Sequence, residues 1–148
     1  MIIYISLEQA KAIMKNTLSI SGEGDYCEYD IGKLDSVLTH IQNDDYYPTF
    51  EKKLTHLVFC TNKFHCFKDG NKRLSIALGE MFLILNGYTF QARSFLNNME
   101  NICYHVASGK IDKELLEEII TACLYEDLDE ESLKFKLLKA IGDSSYEI

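Results

Sequence analysis

Residues 65–87 read HCFKDGNKRLSIALGEMFLILNG, and the stretch divides in two. From Leu74 onward, Leu74, Ala77, Leu78, Met81, Phe82 and Leu85 recur at helical spacing and make a wide apolar face. A helix apolar on so many sides belongs at the centre of a core. Asn86-Gly87 supplies the left-handed cap that ends it. The nine residues before it, HCFKDGNKR, are almost all polar, with Phe67 fit to pin them to the core. The stretch predicts a chemically loaded loop opening onto the N-terminus of a buried central helix.

Working outward, the other periodic segments are helical too. Ser6-Leu7-Glu8-Gln9 has the form of a capping box and opens a helix from Leu7 to about Leu18. SISGEGDYCEYD, residues 19–30, reads as a loop. Leu34, Val37, Leu38 and Ile41 mark a second helix, and NDDYYPT, residues 43–49, a turn or short extended segment. Phe50, Leu54, Leu57, Val58 and Thr61 mark a third helix ending near Phe64. Tyr88-Thr89-Phe90 reads as a short extended link before a helix from about Phe95 to Val106, closed by Gly109. Asp112 caps a sixth, with Leu115, Leu116, Ile119, Ile120, Cys123 and Leu124 inward. Leu133, Leu137, Leu138 and Ile141 suggest a seventh, closed by Gly142. With one proline and eight glycines in 148 residues, breakers are scarce. The expected fold class is all-α: one compact domain over 1–125, with 126–148 a C-terminal helical extension of it.

The net charge of -8 and pI near 4.9 repel phosphate backbones and anionic membranes at long range. No nucleic acid is expected as a general partner, although a local basic patch can still grip a small anion. MIIYISLEQA has no basic n-region and too short an apolar run for a signal peptide. No stretch approaches the roughly 20 apolar residues of a membrane span. A cytoplasmic protein with no membrane partner is expected. The five cysteines, Cys27, Cys60, Cys66, Cys103 and Cys123, are odd in number and form no CxxC pair. That argues against a disulfide framework or structural zinc and for small buried hydrophobes.

The first amides of a helix lack partners and sit at the positive end of its dipole, a natural seat for phosphate. Gly70 allows close backbone approach. Asn71 can bond a phosphate oxygen, Lys72 adds charge, and Arg73 can grip phosphate through two donors. Asp69 is the oxygen ligand that magnesium takes when it also holds substrate phosphates. His65 can take a proton near neutral pH. Together these suit transfer of a phosphorus group from a nucleotide to a hydroxyl, in which positioning and charge stabilisation carry most of the catalysis.

The nine residues resemble the signature HxFx(D/E)GNxR of the Fic/Doc family, the filamentation-induced-by-cAMP and death-on-curing proteins. His65, Phe67, Asp69, Gly70, Asn71 and Arg73 match it position for position. A weaker likeness to the small death-on-curing layout runs over about residues 3–125. The resemblance implies that family's all-α fold and a transferase that uses Mg2+ and ATP to modify a hydroxyl of a target protein. It implies His65 as general base, Asp69 as magnesium ligand, and Asn71 and Arg73 as phosphate binders, with the amides of Gly70 to Arg73 as the anion hole. It also implies a flap that lines up the target segment as an added strand, for which NDDYYPTF, residues 43–50, is the candidate. An antitoxin protein is the partner expected if no internal lock exists.

Most members transfer AMP, whereas the death-on-curing toxin transfers phosphate. AMP-transferring members usually carry glycine where Lys72 stands and a second arginine where Ile76 stands. The death-on-curing toxin shares the lysine and lacks that arginine, but has alanine in place of Gly70. Phosphate transfer to a Ser, Thr or Tyr hydroxyl is therefore the first expectation, AMP transfer the second, and a catalytically inactive Fic-fold binding module the third. Ser19 to Gly24 fits the letters of the family's inhibitory pattern around Glu23, but a pattern so loose is expected by chance. His40, His56 and His105 lack comparable neighbours in sequence and read as structural or surface residues. A Cys60-His65-Cys66 metal cluster lacks a fourth ligand.

Overall fold

The computed structural model describes residues 1–21, 28–63, 70–125 and 130–145. These form seven helices: α1 (Leu7–Ser21), α2 (Glu28–His40), α3 (Phe50–Asn62), α4 (Gly70–Leu85), α5 (Thr89–Ala107), α6 (Lys113–Tyr125) and α7 (Glu130–Ser145). No strand occurs among the described residues. The all-α expectation holds.

The helix starts follow from short polar side chains. In the capping box the Ser6 amide donates to Gln9 Oε1 at 2.9 Å, and the Gln9 amide donates to Ser6 Oγ at 3.1 Å. Thr49 Oγ1 accepts from the Lys52 amide at 3.3 Å, and Asp112 Oδ1 from the Leu115 amide at 2.8 Å. Each pair satisfies an amide that would otherwise lack a partner. Two glycines end helices in the left-handed region, Gly87 at φ 87° and Gly109 at φ 84°. After α4 the Tyr88 amide reaches Leu83 O at 2.9 Å and the Gly87 amide Ile84 O at 3.1 Å. That is the Schellman pattern.

Three expected boundaries move. α5 begins at Thr89, so Thr89 and Phe90 are helical rather than extended. Its N-cap position, Tyr88, makes no side-chain cap bond, so no polar signal marks the start. Burial of Ala92 one turn before Phe95 extends the apolar stripe instead. α7 runs through Gly142, which is buried inside the helix rather than closing it. α1 continues to Ser21 and α2 starts at Glu28, so residues 19–21 and 28–30 are helical rather than loop.

α4 is the axis of the fold and packs against α1, α3 and α5. Leu74, Leu78, Phe82 and Leu83 are at most 1% exposed. At Gly79 the neighbours come so close that a Cβ would lie 2.6 Å from Phe95 Cζ and 3.1 Å from Val58 Cγ2. Only glycine lets α3 and α5 close on α4 at that level. Toward the C-terminal end of α4, Phe50 packs on Phe82 and Tyr88 with ring centroids 4.8 and 4.9 Å apart. The other end of α4 is free to carry chemistry. α7 lies against α6, with Leu133, Leu137 and Ile141 packed on the core.

Candidate nucleotide site at the start of the central helix

α4 begins at Gly70, within the polar stretch HCFKDGNKR. The expectations for His65, Phe67 and Asp69 fall on residues 64–69, outside the described residues; so does that for Glu23. Asn71, Lys72 and Arg73 stand in the first turn of α4, with Asn71 buried, Lys72 half-buried and Arg73 exposed. Asn71 and the two cations thus share the N-terminal, positive end of α4.

The end of α3 and the N-terminal half of α4 are both tied to the C-terminal half of α5. Asn62, the last residue of α3, donates from Nδ2 to Cys103 O at 2.9 Å. Lys63 donates from Nζ to Val106 O at 3.0 Å. Within α4, Ser75 donates through Oγ to Lys72 O at 2.7 Å and reaches Cys103 Sγ at 3.7 Å. Cys103 is fully buried, and burial pushes its thiol up to about 11, partly offset by the Ser75 hydroxyl and the Lys72 charge. It is a packing residue, as expected. Cys60 and Cys123 are half-buried free thiols, also raised by burial.

A cleft of about 530 Å³ runs from this helix end, lined by Asn16 and Thr17 of α1, Lys72, Arg73, Ile76, Ala77 and Glu80 of α4, and Leu96 and Glu100 of α5. Its size is that of a small-molecule site, roughly 300–1,000 Å³. Along α4 the lining changes from the cations Lys72 and Arg73 at the first turn, through the apolar Ile76 and Ala77, to the carboxylate of Glu80; α5 adds Leu96 and Glu100. Glu80 lies seven residues beyond Arg73, or about 10 Å along a helix rising about 1.5 Å per residue.

The candidate flap is mostly turn. Tyr47 N donates to Asn43 O at 2.9 Å, and Asn43 Oδ1 accepts from Asp45 N at 2.9 Å. Beneath it Lys53, fully buried, donates to Ile41 O and to Asp44 Oδ1, both at 2.7 Å. Residues 43–47 therefore spend backbone groups on themselves, and the β-augmentation geometry anticipated for 43–50 does not extend across them.

His56, expected to be a structural or surface residue, is structural. It is buried, and Lys113 Nζ lies 2.8 Å from its Nδ1. Tyr47 Oη lies 3.3 Å from Nε2, and Cys60 Sγ 3.5 Å from Nδ1. With Lys113 donating to Nδ1, the neutral ring donates from Nε2 to Tyr47. Burial first, then the charges of Lys113 and His40, lower His56 to about 4. Its partners come from segments 9 and 57 residues away, which no local motif reveals.

These features rest on a family scaffold. The Fic/DOC family model matches residues 4–83, which takes in α1 to α3, the stretch HCFKDGNKR and all but the last two residues of α4. The chain belongs to the Fic/DOC family. Its members generally act as transferases that use ATP with Mg2+ to modify proteins. No curated protein and no solved structure matches the chain. No helix among the described residues is long and apolar enough to cross a membrane. No three His, Cys, Asp or Glu side chains group as a metal cage among the described residues. Magnesium carried with a nucleotide needs only one or two carboxylates, and Asp69 is of that donor type.

Proposed function

We propose that this Fic/DOC protein transfers the terminal phosphate of Mg-ATP to a Ser, Thr or Tyr hydroxyl of a target protein in the cytoplasm. The observation that carries this reading is the order of chemistry in the cleft. In AMP transfer the phosphates beyond the α-phosphate need cationic company further along α4. Here the residue one turn on is Ile76, and Glu100 lines the same cleft. A phosphate seated there would meet an apolar side chain and a carboxylate, and a like charge close by in a partly dehydrated site is costly. A nucleoside suits that floor better, with its base on Ile76, Ala77 and Leu96. The terminal phosphate is then the one at Lys72 and Arg73.

In this arrangement Asn71, Lys72, Arg73 and the amides from Gly70 onward hold the phosphate oxygens and steady charge as it shifts toward the leaving group. His65 takes the proton from the accepting hydroxyl as its oxygen bonds the γ-phosphorus, while the bond from that phosphorus to the oxygen bridging to the β-phosphate breaks and ADP leaves. Asp69 would hold magnesium, which when bound offsets phosphate charge. The apolar floor limits water at the nucleoside end. With Glu23 read as a chance match, control falls to a separate antitoxin-type partner.

The test uses ATP labelled at the α- or the γ-phosphate, incubated with magnesium, the protein and a cell lysate. Label passing to protein only from the γ-labelled sample supports the proposal. Label passing only from the α-labelled sample means AMP transfer and removes the role given to Ile76 and Glu100. Transfer from neither means a Fic-fold binding module without turnover.

A further inference from the structure

Lys72 does not extend freely into solvent. Its ammonium sits over the ring of Tyr104 on α5, 5.0 Å from the centroid, within the range of a cation–π contact. The Tyr104 side of this contact is fixed by the frame around it. Cys103 and Val106, before and after Tyr104 in α5, take the ties from Asn62 and Lys63 at the end of α3 and from Ser75 of α4. The ring is therefore presented to the first turn of α4 by a part of α5 that is tied to both α3 and α4. Tyr104 itself is 56% exposed, so core packing does not account for where it points.

From this geometry we infer that Tyr104 is a positioning residue that stations the Lys72 ammonium at the phosphate end of the cleft. The inference rests on the phosphate-binding role proposed for Lys72. A lysine has a flexible four-carbon stem and loses much rotamer freedom when it is fixed. An aromatic face on one side of the ammonium removes part of that freedom before the nucleotide arrives. The ring occupies one side only, and Lys72 also lines the cleft, so its remaining N–H donors stay available to phosphate. The lysine is thus held where a mobile one would have to be recruited.

The test is titration calorimetry on the full chain with two probes, Mg-ATP and magnesium tripolyphosphate, which has no base. Tyr104→Phe keeps the ring face and should bind both probes as the wild type does. Tyr104→Leu should weaken both by about two- to fivefold, the scale of an exposed cation–π contact. Lys72→Met should weaken both by about tenfold or more, as loss of a charged donor does. Adding Tyr104→Leu to Lys72→Met should then cost nothing further, a result that a general structural effect of Tyr104 would not give. Tyr104→Leu binding as tightly as wild type or tighter, with Lys72→Met weakened, overturns the inference and leaves the phosphate role intact. Tyr104→Phe behaving like Tyr104→Leu assigns the effect to the hydroxyl and also overturns it. Lys72→Met without effect, or a wild type that binds neither probe, removes the phosphate role and the inference together.

Discussion

Two histidines of this chain have polar neighbours, one in sequence and the other in space. His65 belongs to the polar stretch HCFKDGNKR, which in the sequence leads into α4. His56 sits in the middle of α3, buried, with Lys113 at 2.8 Å and Tyr47 at 3.3 Å. A general base works best with a pKa near the operating pH. At about 4, His56 stays neutral at pH 7 and is a poor proton acceptor. Its hydrogen bonds tie α3 to α6 and to the segment that carries Tyr47. The lesson is that a histidine with polar partners is not thereby catalytic: burial beside a cation turns the same side chain into a tie between elements.

The contrast breaks most easily at His65. Under the proposed function, His65→Ala should lower phosphate transfer by about 10²- to 10⁴-fold, with Mg-ATP affinity and unfolding midpoint unchanged. Measured transfer that survives this change would remove the general base from the scheme. His56→Gln should do the reverse, sparing transfer and altering the response of stability to pH. Unfolded, His56 has its ordinary pKa near 6.5; folded, it is lowered to about 4. Between these values the unfolded chain binds a proton that the folded chain refuses. The wild type should thus lose stability as pH falls from about 6.5 to about 4, by about 2 to 3 kcal/mol from this group. Urea unfolding at pH 7.5 and 4.5 should show that loss reduced in His56→Gln.

A third change probes the frame that both histidines depend on. Gly79→Ala should destabilise the fold by about 1 to 3 kcal/mol through overpacking against Phe95 and Val58. This outweighs the roughly 1 kcal/mol that alanine gains over glycine in a helix. Urea unfolding reads the difference directly, and a rise in stability would mean that the Phe95 ring yields. The smallest effect should come from Lys113→Met. It removes the second cause of the His56 shift and leaves the larger one, burial. The pH-linked loss should shrink by less than half, read from the same unfolding series.

How much of this was legible depends on how far apart the partners lie. The central helix, the capping box at Ser6 and Gln9 and the caps at Gly87 and Gly109 all rest on residues within a few positions of one another, and those readings hold in the structure. The phosphate-binding turn is equally local in the sequence; its helical position at the start of α4 is seen, and its phosphate role is proposed. The start of α5 was hidden because Tyr88 gives no capping bond. The burial of Lys53 was hidden because its partners, Ile41 O and Asp44, are set by the fold. The tie of Tyr104 to Lys72 spans two helices, and neither residue announces it in the sequence.

At the far end of α4 from the loop, one side chain imitates a strand. Asn86 accepts from the Ile3 amide at 2.8 Å and donates to Ile3 O at 2.9 Å, while also donating to Phe82 O at 2.8 Å. Ile3 thus has both backbone groups satisfied outside any helix or sheet. Its amide should exchange with deuterium more slowly than those of its unpaired neighbours, although its side chain is exposed. Because the bond closes on the last turn of α4, that single amide becomes a clock for the fraying of the central helix, placed at the opposite pole from the chemistry.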